Sequence, residues 1–322
     1  MIRDPRRETR EVERRLDLFG TSVRILVGGP APEGEPSPEL AAAVAQAVLQ
    51  GCQLELTRFE PDSELSRLNA DPGPVHVTSK LVAGAVAAAV GAAERSDGFV
   101  DPTLLGAMED VGYAGSRAGV EPASLGDALQ VAPARHKAVP AREPAWRWIA
   151  VIGREVRRPP GLRLDLGGTA KGFAADRAAA ALRNQHTFAV DAGGDIVMGG
   201  TGGVPRAVTI AHPLEDGRAI QFELAAGAVA TSGLGTRIWR TETGFAHHLL
   251  DPSTGQPAWT GVIQATALAS NGLEAETLAK TALLSGPDQG FQLLERTGGA
   301  LVLDDGRIVL AGPLREHARE AA

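Results

Sequence analysis

Cysteine is nearly missing from this 322-residue chain, with Cys52 the only one. A single thiol excludes an intrachain disulfide and any metal site built on several thiolates. Lysine is scarce as well. Only Lys80, Lys137, Lys171 and Lys280 occur among 32 basic residues, so each lysine in this arginine-preferring chain asks for a reason. No apolar run approaches the ~18 residues of a membrane helix. Met1–Arg15 lacks the apolar stretch of a secretory signal, and the expected location is the cytoplasm. Positive charge is not in excess, since 32 − 39 gives a net charge of −7. Neither nucleic acid nor an anionic membrane surface is therefore an expected partner. What the chain does have is apolar residues, 43% of the total, ample for a core at this length.

Residues 1–15 read as a charged arm and 16–315 as one domain, without an internal repeat or a convincing linker. Leu16–Val27 reads as one strand through Phe19-Gly20-Thr21. Ser37 and Pro38 cap and start an Ala/Leu/Val-rich helix running to about Thr57, and Ser79 caps another running to Arg95. Phe59 to Asn69 is a polar loop or short helix, and Ser116–Pro144 a surface excursion. Trp146–Ile152 and Glu155–Arg158 form a hairpin about Gly153-Arg154. Further strand signals follow from Thr187 to Leu250. Leu273–Leu284 and Asp288–Arg296 are helices, and an Asp-Gly turn joins two closing strands. Strands first alternate with helices and then run together, which predicts an α+β layered fold.

The segment Leu164 to Asp176 reads as the end of a strand, Leu162–Leu166, a turn at Gly167-Gly168, and a helix to about Asn184. Such a helix start offers free N–H groups to an anion. Lys171 adds a full positive charge, and Asp165 stands at the strand's carboxyl end, where open α/β layers bind ligands. Asp191-Ala192-Gly193-Gly194-Asp195 lets backbone approach a ligand closely. Ala230-Thr231-Ser232-Gly233 carries hydroxyl and N–H groups suited to phosphate oxygens, and equally suits a polar turn. His247 and His248 read as adjacent in a strand, so only one of them can enter a site, and a structural role suits the pair equally. That one can shuttle a proton or donate a hydrogen bond. Glu276 and Lys280 are four apart on a helix and share a face; an exposed pair of this kind is worth a few tenths of a kcal/mol.

Eight segments, taken in order, resemble the FAD:protein FMN transferase (ApbE) family over Phe19 to Gly286. They are Phe19-Gly20-Thr21, Asp62-Ser63-Glu64-Leu65-Ser66-Arg67-Leu68-Asn69, Gly98-Phe99-Val100-Asp101-Pro102, the glycine corner from Asp165 to Asp176, Ala192-Gly193-Gly194-Asp195, Ala230-Thr231-Ser232-Gly233, His247 through Gly255, and Glu274-Ala275-Glu276. The resemblance implies a single α+β domain with a T-fold-like core. It implies that FAD is bound and that its FMN unit is moved onto a threonine or serine of a partner with an FMN-binding domain (flavinylation), with release of AMP. By the same resemblance Phe19, Phe59, Tyr113, Asp165, Lys171, Thr231, Ser232, Gly233 and Asp251 bind FAD, and His248 takes part in transfer.

The family's Mg²⁺ is implied to sit between the Ala170 carbonyl and Glu276, where the family has Asp, and a threonine whose place Lys280 takes here. An ammonium has no lone pair for a metal. At 4 Å it attracts a phosphate charge by roughly 4 kcal/mol at an effective dielectric of 20. Lys280 is thus expected to take over part of the metal's electrostatic role and to weaken Mg²⁺ binding. Two activities remain compatible with these residues: FMN transfer, or FAD binding and hydrolysis by a relative without transfer.

Overall fold

Chain order and sheet order coincide. The computed structural model describes residues 11–321. Among them, eight strands form one sheet in which each strand runs antiparallel to the one before it. They are β1 (Val12–Leu18), β2 (Thr21–Gly28), β3 (Thr187–Ala192), β4 (Ile196–Gly199), β5 (Gly227–Gly233), β6 (Val262–Ala269), β7 (Gly299–Leu303) and β8 (Ile308–Ala311). The helices that matter for the site are α1 (Pro38–Leu56), α2 (Lys80–Arg95), α3 (Ala170–Leu182), α4 (Gly272–Leu284) and α5 (Pro287–Leu294). The fold is α+β, as the pattern of signals predicts. No described helix is long and apolar enough to cross a membrane.

The strand alternation sets the layers. Val23, Ile25 and Val27 of β2 face one core with α1, α2 and α3, while Leu26 between them packs into another. That other face is covered by a small sheet of Arg206–Ala211, Ala219–Leu224 and Arg319–Ala321. Its Val208, Ile210, Ile220 and Phe222 meet Ala189, Met198 and Val229 of the main sheet. Helices α4 and α5 close a third cluster over β6 and β7, with Leu283, Leu294 and Leu301 inside. Each such fully buried side chain contributes roughly 1.5–3 kcal/mol relative to exposure.

Local chemistry explains the helices. Ser37 caps α1 by accepting from Leu40 N, with Pro38 in its first turn. Ala41, Ala42, Ala45 and Leu49 recur at helical spacing and are fully buried or nearly so. Helices α3 and α4 approach until backbone meets backbone. A Cβ at Gly172 would lie 2.6 Å from Gly272 O, and one at Gly272 would lie 2.9 Å from Gly172 O. The crossing therefore needs glycine on both sides. Asp176 of α3 accepts from Gly272 N (2.6 Å) and Leu273 N (2.9 Å), adding a second cap to Asn271 at the start of α4.

Several expectations need correction. The charged arm, residues 1–15, lies outside the described residues as far as residue 10, and from Val12 onward it is strand β1. Leu16–Val27 is not one strand but parts of a hairpin. Phe19 (φ 56°) and Gly20 (φ 68°) form its two-residue turn, the geometry that matches strand twist. Leu162–Leu166 is not a strand and joins no ladder. Its hydrogen bonds go elsewhere: Leu164 N donates to Asn69 Oδ1, Asn69 Nδ2 donates to Leu164 O, both at 2.8 Å, and Asp165 N donates to Pro102 O. Asn69 and the Pro102 carbonyl thus stand in for a neighbouring strand at Leu164 and Asp165. Helix α3 ends at Leu182 rather than Asn184. Ala230–Gly233 is strand interior, paired with β6, rather than a turn. The surface excursion contains a helix, Leu125–Gln130, and its Ser116–Val120 stretch lines the main cavity.

Candidate active site

A cavity of about 760 Å³ opens among the glycine corner, the β1–β2 turn, Arg58-Phe59, the Val100–Leu104 segment and the chain around Arg237 and His248. Phe19, Phe59, Tyr113, Asp165, Ala170, Lys171, His248 and Lys280 all line it. Positions as far apart in sequence as Phe19 and Lys280 are thereby brought to one wall or another. Thr231, Ser232, Gly233 and Asp251 are not among the lining residues. Thr231 Oγ1 shares a hydrogen bond with Thr266 Oγ1 at 2.9 Å across β5 and β6. Ser232 is buried in the sheet. Asp251 Oδ1 accepts from Ser253 N, Ser253 Oγ and Val139 N, which makes it the clasp of the Asp-Pro-Ser-Thr turn.

Phe59 and Tyr113 form the apolar wall, and Trp239, outside the lining, packs against Tyr113. Tyr113 stands 5.7 Å from both Phe59 and Trp239, tilted to each. Arg58 lies over Phe59 at 4.3 Å and Tyr113 at 4.9 Å, while Arg117 lies over Trp239 at 4.3 Å. Arg58 also donates from Nε to Asp165 Oδ2 (2.7 Å) and from a terminal nitrogen to Tyr113 O (2.6 Å). The other Asp165 oxygen accepts from Gly167 N at 2.6 Å. Asp165 therefore ties the glycine turn to Arg58, and Arg58 ties that turn to the rings. Nothing in the sequence singles out Arg58 or Arg237. Arg58 sits beside Phe59, but nothing local distinguishes it from other arginines.

Phe19 is a ring on a left-handed backbone, a conformation costing roughly 1–2 kcal/mol for an L-residue. Its N–H donates to Gln53 Oε1 (2.7 Å), and its carbonyl accepts from Arg237 (3.0 Å). The two-residue turn requires this conformation, and the two hydrogen bonds hold the ring at the cavity wall. Arg237 also stands close enough to His248 and Lys171 for its charge to act on both.

Beneath the corner lies a buried set of four charges. Lys171 pairs with Asp195 and stands 3.9 Å from Glu276; Lys280 Nζ donates to Glu276 Oε1 at 2.8 Å. Glu276 Oε2 accepts from Gly172 N at 2.9 Å, using one of the free N–H groups at the start of α3. Glu276 is fully buried and Lys280 nearly so, so the expected shared face holds but the pair is internal. Burial pushes the Glu276 carboxyl up and the like charge of Asp195 adds to this, against the pull of Lys280 and Lys171. For Lys171, burial works against the charge, but Asp195 and Glu276 together outweigh it and hold the ammonium above its ordinary value.

The two histidines have different surroundings, but only His247 is in a strand, Gly244–His247, and His248 lies in the bend that follows it. His247 is fully buried, edge-on to Trp259 at 4.8 Å, and burial pushes its pKa down to about 3. His248 lines the cavity, and its Nδ1 lies 3.4 Å from Arg237 O. Burial, then the charges of Arg237, His247 and Lys280, hold it well below the ordinary histidine value. A neutral imidazole whose Nδ1–H faces a carbonyl presents an Nε2 lone pair, the form of a general base.

The family model of the ApbE family matches residues 19–303. This chain belongs to the ApbE family. A relative from Treponema pallidum, named FAD:protein FMN transferase, is 29% identical over 98% of this chain and 90% of its own. Another of that name, from Klebsiella pneumoniae, is 26% identical over 88% of this chain and 81% of its own. Among solved structures, the ApbE protein of Thermotoga maritima superposes with a TM-score of 0.78 at 27% identity, over 96% of this chain and all of that one.

Mg²⁺, the ion implied for the family, was tested against the donors present in this ApbE chain. A Mg²⁺ ion asks for near-octahedral oxygen ligands. Both Glu276 oxygens are already occupied, by Gly172 N–H and by the Lys280 ammonium. Asp195 Oδ1 is buried without a partner, but its other oxygen holds Lys171. Among the described residues no three His, Cys, Asp or Glu side chains are grouped to hold a metal. The residues present do not fit the ion.

Proposed function

We propose that residues 16–315 act as one transferase unit that binds FAD in this cavity and moves its FMN unit onto a threonine or serine hydroxyl of a partner flavoprotein. The observation that carries the reading is the juxtaposition, in one cavity, of an aromatic wall, a neutral His248 and the cations Arg237 and Lys280. Tyr113 and Phe59 suit the flat rings of a dinucleotide. Arg237 and Lys280 suit its pyrophosphate, since phosphoryl transfer is promoted chiefly by positioning and charge neutralisation. His248 Nε2 takes the proton of the acceptor hydroxyl as that oxygen attacks the flavin-side phosphorus. The new P–O bond forms as the bridging P–O bond breaks, and AMP leaves with the electron pair. The names of the relatives agree with this reading, and their substrate is carried to this chain on that ground.

Incubation with FAD and a threonine-bearing FMN-binding domain tests it. A covalently fluorescent acceptor and equimolar AMP are expected. AMP with free FMN and an unlabelled acceptor would make the chain a hydrolase instead.

A further inference from the structure

We propose that this cavity meets the FAD pyrophosphate with the chain's own cations, so that FAD binds without a divalent ion. The inference rests on reading the cavity as an FAD site and concerns how that site is neutralised.

The place where a metal would share Glu276 is taken. Lys280 Nζ lies 2.8 Å from one carboxylate oxygen, and Gly172 N–H lies 2.9 Å from the other. The position of the ammonium is built rather than incidental. The Lys280 stem packs under the glycine corner, with Cε 3.8 Å from where a Cβ of Gly168 would stand. Its partner sits four residues earlier on the same helix, and the side chain lines the cavity. Two ammonium groups, Lys171 and Lys280, face two carboxylates, Asp195 and Glu276, so this buried cluster is already neutral. A dication added there would have to expel an ammonium or share a low-dielectric space with it, and ammonium offers no lone pair.

The pyrophosphate charge then has other partners. Arg237 is anchored through a neutral group, the Phe19 carbonyl, which leaves its positive charge for a ligand. It reaches the same cavity as Lys280 from a different part of the chain. Arginine binds phosphate in fork geometry and lysine as a point charge, and neither needs a metal bridge.

Titration of FAD into the full chain, followed by flavin fluorescence in EDTA and in millimolar MgCl₂, tests the proposal. The two affinities should agree within about twofold, far less than the ~1.4 kcal/mol of a tenfold change. In parallel, Mn²⁺ added to the FAD complex should keep the electron paramagnetic resonance spectrum of the free ion. Lys280→Thr, which puts a hydroxyl beside Glu276, should make FAD binding respond to Mg²⁺ by about tenfold or more. FAD binding by the unaltered protein only in the presence of Mg²⁺ would overturn the proposal. So would one bound Mn²⁺ per chain that is released by Glu276→Gln. Failure to bind FAD under either condition would remove the FAD reading itself, and the two failures are therefore distinguishable. Because the decisive arms use the unaltered chain, a variant that fails to fold leaves them intact.

Discussion

His248 and His247 show how one dipeptide divides into two jobs. His248 faces the cavity, so His248→Gln should lower acceptor labelling by about two to four orders of magnitude, the usual worth of a general base. FAD affinity should change little, and comparing labelling rate with FAD binding separates the two effects. His247 works on stability. Folded, it titrates at about 3; unfolded, near its ordinary 6.5. Between those values the unfolded chain holds a proton that the folded chain refuses, so stability falls as pH drops below about 6.5. The contribution is intact above that pH, and its loss amounts to at most about 1.4 kcal/mol per pH unit. Urea unfolding at pH 7 and pH 5 measures it, and His247→Gln should flatten the difference. Arg58 is the residue that sequence reasoning could not single out. Arg58→Gln should detach Asp165 from the rings and weaken FAD binding by about tenfold, corresponding to one lost charge-assisted contact.

Among the elements, the meeting of α3 and α4 decides where the chemistry sits. Gly172→Ala would push a methyl into the Gly272 backbone and cost about 1–3 kcal/mol by overpacking. It would also draw Gly172 N–H away from Glu276. A lowered urea midpoint together with weakened FAD binding is expected, and an unchanged midpoint would contradict the account of this crossing. Much of this was legible beforehand. Ser37-Pro38 and Ser79 marked helix starts correctly, because capping is a local interaction. Glu276 and Lys280 share one face, as their spacing predicts, because helical spacing is local too. What could not be read was non-local. Leu162–Leu166 carries a strand's composition, yet its partners are the Asn69 side chain and the Pro102 carbonyl rather than a neighbouring strand. Thr231-Ser232-Gly233 looks like a turn, but pairing with β6 runs it through the sheet. Phe19 at a left-handed position contradicts its own preference, as residues at cavity walls can.

At the scale of the whole molecule, an eight-stranded meander supplies the rigid frame and the long insertion between β2 and β3 supplies most of the cavity. The insertion carries Arg58, Phe59, Tyr113 and the glycine corner, and returns to the sheet through α3. The opposite wall, Arg237 and His248, comes from the connection between β5 and β6, and Lys280 from the helix after β6. A ligand touching all three regions would tie them together, so saturating FAD should raise the melting temperature. At a hundredfold excess over its dissociation constant the stabilisation is about 2.7 kcal/mol.

The most direct test of the account is a crystal structure of the chain with FAD and MgCl₂ present. The account predicts a ring system of FAD against Phe59 and Tyr113, and pyrophosphate oxygens within hydrogen-bond distance of Arg237 and Lys280. FAD bound outside this cavity, or a metal ion seated on Glu276 with Lys280 turned away, would contradict it.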